Sequence, residues 1–358
     1  MSSPRLRILY IAYPLLPVSE ASAGGAEQML RVTERQMAQR GNATVMAACD
    51  GSEAAGELLS TGAAPSLADS LPQREAEHNA RILQALARRQ RTARWFHLLH
   101  DMSGTFWPQA GVLSVPLLAT LHLPRSFYSP PMFENIPANV YFNCVSKSQL
   151  RTFAGLPRLL GVVRNGIEVG RFSLSARKNG HLLWLGRFCH EKGAHLAIAA
   201  ARQAGARLIL AGQVYPFSYH QQYFEREIAG RLNGAVRLVE SPTAEQKVRL
   251  LRQARAVLVP SLAEETSSLV AMEAAACGTP VIAFRRGALP EVVREGITGF
   301  LVDSVEEMAQ AIRRVDQINP ADCRRHAEEN FSAVRMAEHY ERLYRQLLAM
   351  PLSRPQAA

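Results

Sequence analysis

The sequence predicts an α/β protein of two doubly wound parallel sheets facing across a cleft, and three features of the chain predict it. Short apolar runs rich in Val, Ile and Leu recur from end to end. Stretches of helical periodicity separate them. The alternation pauses around Asn165-Gly166 and resumes near His181, after a turn at Lys178-Asn179-Gly180. Continuous apolar runs are how strands covered on both faces read. Their alternation with helices is the pattern of a layered α/β fold.

Taken in order, the expected strands are Arg7–Ala12, Ala43–Ala48, Trp95–Leu99, Pro116–Leu121, Val140–Val145, His181–Leu185, Ala206–Ala211, Val236–Val239, Ala256–Val259 and Pro280–Ala283. Expected helices include Ala26–Arg40 closed by Gly41, Gln73–Arg91, Ala194–Ala204 closed by Gly205, and Thr243–Gln253. A last helix, 333–350, precedes a frayed tail from Pro351. This gives one domain over 1–166 and a second over 167–332, with the helix and tail of 333–358 packing back on the first.

Composition narrows the function classes. The chain has 358 residues, 47% hydrophobic and 20% charged, which is ordinary globular usage. No apolar stretch is long enough to span a membrane. The five cysteines, at 49, 144, 189, 277 and 323, lie too far apart in sequence for a Cys-x2-Cys pair. Such a set suits a reducing cytoplasm. The net charge of +10 is spread evenly: 16 − 11 = +5 over residues 1–165 and 25 − 20 = +5 beyond. A basic surface of this kind suits phosphates or anionic lipid, and equally a plain soluble protein. Arg5 and Arg7 before an apolar run, with Ala21-Ser22-Ala23 downstream, resemble a processed leader. Ile8–Ile11 reads equally well as a buried first strand, which cleavage would remove together with the approach to Gly24-Gly25.

Ligands in doubly wound sheets bind beyond the carboxyl ends of the strands. Four post-strand segments stand out. Ala23-Gly24-Gly25-Ala26-Glu27 opens a helix, where Gly24 and Gly25 let backbone approach an anion. Gly-Gly before a helix is also simply a turn. Gly186-Arg187 with Lys192-Gly193 follows the strand at His181 and offers two cations to a diphosphate. Neither the dinucleotide nor the P-loop glycine pattern is present. Glu265 to Glu273 follows Ala256–Val259. Within it Ser267 or Ser268 is placed to cap a helix ending near Ala276, before Cys277-Gly278-Thr279-Pro280. That helix start offers free amides to phosphate, and the two carboxylates accept from hydroxyls. Thr120-Leu121-His122 ends a first-half strand, placing His122 to touch a substrate or carry a proton. Each cation, carboxylate or histidine taken singly is as readily a solvated or structural side chain.

Together these segments resemble the retaining, two-domain GT-B glycosyltransferases of family four, from Arg7 to about Ala311. The resemblance also uses Asn165-Gly166-Ile167-Glu168, Glu191-Lys192-Gly193, Ala275-Ala276-Cys277-Gly278-Thr279-Pro280-Val281-Ile282-Ala283 and Glu295-Gly296-Ile297-Thr298-Gly299. It implies that Arg187 and Lys192 bind the donor diphosphate. It implies that Glu265 contacts the transferred sugar, and that Glu273 holds the ribose. Gly24 and Gly25 would close on the phosphates, His122 would lie near the sugar, and Ser268, Leu269 and Val270 would line the phosphate and nucleoside with backbone. The family's usual Pro-Phe-Gly after the first Glu is Thr266-Ser267-Ser268 here, so Ser268 narrows the backbone approach that a glycine allows. Glu264 sits one position from the matching carboxylate, and the spacing favours Glu265.

The implied function is sugar transfer with retention, from a nucleotide-sugar (UDP-sugar first, GDP-sugar second) to a hydroxyl of a glycan, lipid-linked or small-molecule acceptor. No cofactor is implied. The chain lacks Asp-x-Asp, so no required metal is expected. The alternatives are a sugar-nucleotide epimerase on a similar fold, or a non-catalytic carbohydrate- or lipid-binding subunit. No nucleic-acid module is recognised. The basic stretch Gln73–Arg94, with Arg81, Arg88, Arg89, Arg91 and Arg94, is a candidate for peripheral contact with anionic lipid at the inner membrane face.

Overall fold

In a computed structural model, residues 4–20, 22, 24–64, 71–89 and 95–350 are described. The chain divides into two units, Met1–Asn165 with Ala333–Ala358, and Gly166–Ser332.

The first unit contains β1 (Arg7–Ile11), α1 (Gly25–Gln39), β2 (Ala43–Ala48), β3 (Glu57–Ser60), α2 (Leu71–Arg89), β4 (Leu98–Asp101), β5 (Leu117–Leu121), β6 (Val140–Cys144), α3 (Lys147–Thr152) and β7 (Leu159–Val162). The second contains β8 (Leu182–Arg187), α4 (Ala194–Gln203), β9 (Leu208–Gln213), α5 (Ser218–Tyr223), β10 (Val236–Glu240), α6 (Ala244–Gln253), β11 (Ala256–Val259), α7 (Leu269–Ala276), β12 (Val281–Phe284), α8 (Leu289–Val292), β13 (Gly299–Val302), α9 (Val305–Arg314) and α10 (Pro320–Asn330). A final helix, α11 (Ala333–Ala349), belongs to the first unit.

All pairings within the two sheets are parallel. The first sheet runs β3-β2-β1-β4-β5-β6-β7 and the second β10-β9-β8-β11-β12-β13. The order therefore reverses between β1 and β4 in one sheet, and between β8 and β11 in the other. At such a point the connections leave for opposite faces of the sheet and open a crevice at the strand ends. This is the two-domain α/β architecture of GT-B proteins.

Two expectations change. The strand expected at Trp95–Leu99 is displaced to Leu98–Asp101. Trp95 and Phe96 pack on the core from outside the sheet. The strand instead takes in two fully buried polar residues, His100 and Asp101. The strand expected to stop at Leu185 continues through Gly186 and Arg187, which pair with Gly212 and Gln213 of β9.

The tolerance for buried polarity in β4 is explained by its partners. Asp101 accepts from four backbone amides, those of Ser103, Gly104, Phe106 and Trp107. His100 lies between two hydroxyls, with Nδ1 2.7 Å from Tyr344 Oη and Nε2 2.7 Å from Thr120 Oγ1. Tyr344 also reaches the Tyr10 hydroxyl at 3.3 Å. Tyr340 reaches Thr120 at 3.3 Å. The last helix is thus seated on the first sheet by phenols that satisfy a buried imidazole. Tyr344→Phe leaves His100 Nδ1 without its partner and is expected to cost about 1–3 kcal/mol. Urea unfolding checks this, and an unchanged midpoint would refute it.

Candidate active site

The residues of interest in the second unit come from the exits of β8 and β11, the two strands that flank its reversal point. After β8 the chain makes a tight turn, and Gly193 enters α4 with φ +68°. Only glycine fits there. A side chain at 193 would stand 2.1 Å from the carbonyl oxygen of Pro260, at the exit of β11. The two loops are joined further by Leu262 N donating to Glu191 O at 2.8 Å and Ser261 Oγ donating to the same carbonyl at 3.2 Å. Trp184 Nε1 donates to Lys192 O at 3.0 Å and fixes the turn from beneath.

This stitching sets the polar constellation. Lys192 Nζ lies 2.6 Å from Glu265 Oε1, which also accepts from Ser261 Oγ at 2.7 Å. Glu264 turns the other way and accepts from the Gly287 amide at 2.8 Å. The adjacent carboxylates therefore do different work: Glu264 braces a loop, and Glu265 faces the lysine. Gly287, at φ +54°, leaves room for the Glu265 backbone, because a side chain there would come within 2.3 Å of Glu265 O. Arg187, at the end of β8, lies with its guanidinium carbon 5.7 Å from the Tyr215 ring centre. No hydrogen bond or ion pair joins that guanidinium to another described residue. It is a cation available for an anion.

The α7 N-terminus corrects one expectation. Ser268 occupies the cap position, but its hydroxyl makes no cap hydrogen bond. The Ser267 hydroxyl is buried with no partner. The first amides of α7 are therefore not satisfied by either serine. Ser268 has φ −134°, a conformation any residue adopts. Elsewhere in the unit, α6, α9 and α10 are capped by the side chains of Thr243, Ser304 and Asn319. The helices that follow β8 and β11, α4 and α7, lack such caps. The same holds for α1, which follows the reversal-point strand β1 and begins at Gly24 without a side-chain cap. An uncapped helix start at a strand end favours an anion by geometry and by dipole; that of α4 is partly met already, since His195 N donates to Tyr223 Oη at 3.2 Å.

Glu273 is buried inside α7, four residues beyond Leu269, and pairs with Lys247 Nζ at 2.6 Å. Because α7 starts at Leu269, Glu273 lies about one turn into the helix. Leu269 and Val270 supply the first backbone of α7, as their position requires. Lys247 was not singled out from the sequence. Its place within helix α6 gave no signal, since an exposed-looking lysine is the ordinary occupant of such a face.

In the first unit, Gly24 stands directly under the Glu27 carboxylate, whose Oε2 would be 1.9 Å from any side chain at 24. Gly25 begins α1. Ala23 lies outside the described residues. His122 follows β5 immediately, and burial pushes it down to about 4, so it is neutral at pH 7.

Residues 179–317 match the family described as glycosyl transferases group 1. The matched span lies wholly within the second unit. It is 34% identical to the glycogen synthase of Mycobacterium tuberculosis over 177 residues, which is 46% of this chain and 42% of that protein. The match thus spans less than half the length of that relative. Among solved structures, sucrose-phosphate synthase from Thermosynechococcus elongatus superposes with a TM-score of 0.80 at 21% identity, over 96% of this chain and 100% of that one. The Anabaena protein HepE in complex with UDP and glucose gives 0.75 at 18% identity, over 95% and 99%. These likenesses establish the fold.

The neutral state of His122 has a measurable consequence. Its ordinary value is about 6.5, and folding lowers it to about 4. The unfolded chain therefore binds more protons between these values. The stabilisation is fully present above pH 6.5 and is lost as pH falls toward 4. His122→Gln is expected to remove roughly 2–3 kcal/mol of that acid sensitivity. Denaturant midpoints at pH 7 and pH 4.5 for both proteins test this. Parallel losses in the two would refute it.

Proposed function

We propose that the chain is a retaining glycosyltransferase that moves a sugar from a nucleotide-sugar to an acceptor hydroxyl. One observation carries the reading: Arg187, the Lys192–Glu265 pair and the uncapped start of α7 converge on the reversal point of the second sheet. Two cations and a helix N-terminus suit a diphosphate, and carboxylates suit sugar and ribose hydroxyls.

In this proposal Arg187, Lys192 and the Ser268-Leu269-Val270 amides take the diphosphate. Glu265 orients the transferred sugar and Glu273 the ribose. As the bond to the anomeric carbon breaks, negative charge builds on the leaving phosphate, and Arg187, Lys192 and the α7 dipole stabilise it. That phosphate receives the acceptor's proton as the hydroxyl attacks from the same face, which gives retention. Charge neutralisation by side chains leaves no step that requires a divalent metal or another cofactor. For Gly24 and Gly25 we propose the phosphate-loop role, and for His122, neutral at pH 7, a hydrogen-bonding contact with the sugar. UDP-sugar is the first donor proposed and GDP-sugar the second. HepE, of the same fold, was solved with UDP and glucose.

The proposed acceptor is a glycan, a lipid-linked sugar or a small molecule, reached from the cytoplasm. Among the described residues no helix is long and apolar enough to cross a membrane. Peripheral contact through Gln73–Arg94 remains a separate proposal. Of its arginines, Arg81 donates to Thr61 O at 2.6 Å and Arg89 pairs with Glu57. Arg91 and Arg94 lie outside the described residues.

Calorimetric titration with UDP, GDP and ADP tests the donor reading. One nucleotide is expected to bind, and Arg187→Ala to weaken it at least about tenfold through loss of a charge-assisted contact. Binding unchanged in Arg187→Ala would refute the site. With the matching donor and its acceptor, Lys192→Ala and Glu265→Gln are each expected to lower transfer by about 30- to 1000-fold without loss of the folded circular dichroism spectrum. Activity retained in either variant would remove that residue from the mechanism.

A further inference from the structure

Beside the donor-binding residues lies a second cluster that sugar transfer does not use. Cys189 and Glu191 stand on the turn after β8. His220 stands on α5, after the neighbouring strand β9. Parallel pairing brings these two strand ends together, with Arg187 opposite Gln213. One ligating atom each of Cys189, Glu191 and His220 lies within 4.8 Å of the other two. Cys189 and His220 are fully buried. Both ring nitrogens of His220 lack a hydrogen-bond partner. A buried imidazole with neither nitrogen satisfied is costly, and it calls for a partner that accepts a lone pair. The ring is held by aromatic neighbours, Tyr219 at 4.2 Å and Tyr215 at 5.7 Å between centres, so its direction is fixed.

We propose that Cys189, Glu191 and His220 form a binding site for a borderline-soft divalent cation of the zinc class. Thiolate, carboxylate and imidazole are the three donor types zinc takes, and three protein ligands leave a fourth tetrahedral position open. Ligand atoms around such an ion stand about 3.3–3.8 Å apart, from metal–ligand distances of about 2.0–2.3 Å. The cluster therefore needs to contract by about 1 Å, a side-chain adjustment. Charge also fits: thiolate and carboxylate together cancel the charge of the ion. Binding exchanges the Cys189 thiol proton for the metal–sulfur bond, the proton leaves to solvent, and no electron is transferred. Hard ions such as Mg2+ have no use for the sulfur and are not expected here.

The ion would tie the turn that carries Lys192 to α5. The site makes no use of the donor nucleotide, so it stands or falls separately from the transfer reading.

The test uses the full chain, stripped with a chelator and titrated with Zn2+ and, as a spectroscopic probe, Co2+. One ion is expected per chain, with a thiolate-to-cobalt charge-transfer band. Cys189→Ser is expected to abolish the band, and His220→Gln and Glu191→Gln to weaken Zn2+ binding at least about tenfold. Cys323→Ser, a buried cysteine elsewhere in the unit, should leave the band intact. Circular dichroism shows whether each variant is folded; should Cys189→Ser fail to fold, Glu191→Gln on the turn surface carries the test. No charge-transfer band in the wild type, or a band that survives Cys189→Ser, would overturn the proposal.

Discussion

The contact between Gly193 and the Pro260 carbonyl governs the second unit. Two parallel strands, β8 and β11, end side by side, and the loops leaving them must pass within van der Waals distance. A residue without a side chain in the left-handed conformation permits this at 193. Hydrogen bonds from Ser261 and Leu262 to the Glu191 carbonyl then lock the approach. With the loops locked, Lys192 has one short path to Glu265, and the pair forms at 2.6 Å. An ion pair between two loose loops would contribute little, because side-chain entropy opposes it. Here the backbone has already been positioned, so the pair acts as a preorganised part of the site.

Cap placement in the second unit divides between stability and binding. Helices α6, α9 and α10 have side-chain caps, each of a kind that contributes about 1 kcal/mol. Helices α4 and α7 go without at the two strand ends where ligands bind in such sheets. α5 and α8 also lack side-chain caps, but they are short elements of six and four residues. At α4 the His195 amide is met instead by the Tyr223 hydroxyl at 3.2 Å, while at α7 the Ser267 hydroxyl is buried without a partner. Polar groups left unsatisfied in a packed domain each call for an explanation, and a missing water, ion or ligand is one.

Much of this was legible in the sequence, and the exceptions have physical causes. The buried strands of both sheets showed as apolar runs because both faces are covered. Strands β3, β7 and β13 were not anticipated. Each lies at a sheet edge and is only four residues long, too short to stand out as a run. Strand β4 was misplaced because hydrophobicity cannot show that His100 and Asp101 are buried with their partners supplied from Tyr344, Thr120 and the loop after the strand. The site residues at 187, 192, 265 and 273 were found through spacing and through their places after strands. Lys247 and His220 were not, because their significance depends on contacts more than twenty residues away in sequence.

The pairing of the carboxylates decides what kind of ligand the donor site favours. Glu265 is matched by Lys192 and Glu273 by Lys247, so each pair adds no net charge. What remains is Arg187 and about half a positive charge from the α7 N-terminus. The Glu191 carboxylate is held below the ordinary range, against burial, by its own backbone amide, the Cys189 thiol and Arg187, so part of the Arg187 field is already taken up by it. A diphosphate arriving at α7 meets a positive field without having to displace a cluster of anions. Under the proposed roles, Lys192 would be shared between the phosphate and Glu265, drawing the carboxylate proposed to hold the sugar toward the bond that breaks. The same lysine would thus couple recognition of the leaving group to placement of the sugar, which is why charge reversal at 192 would disturb both at once.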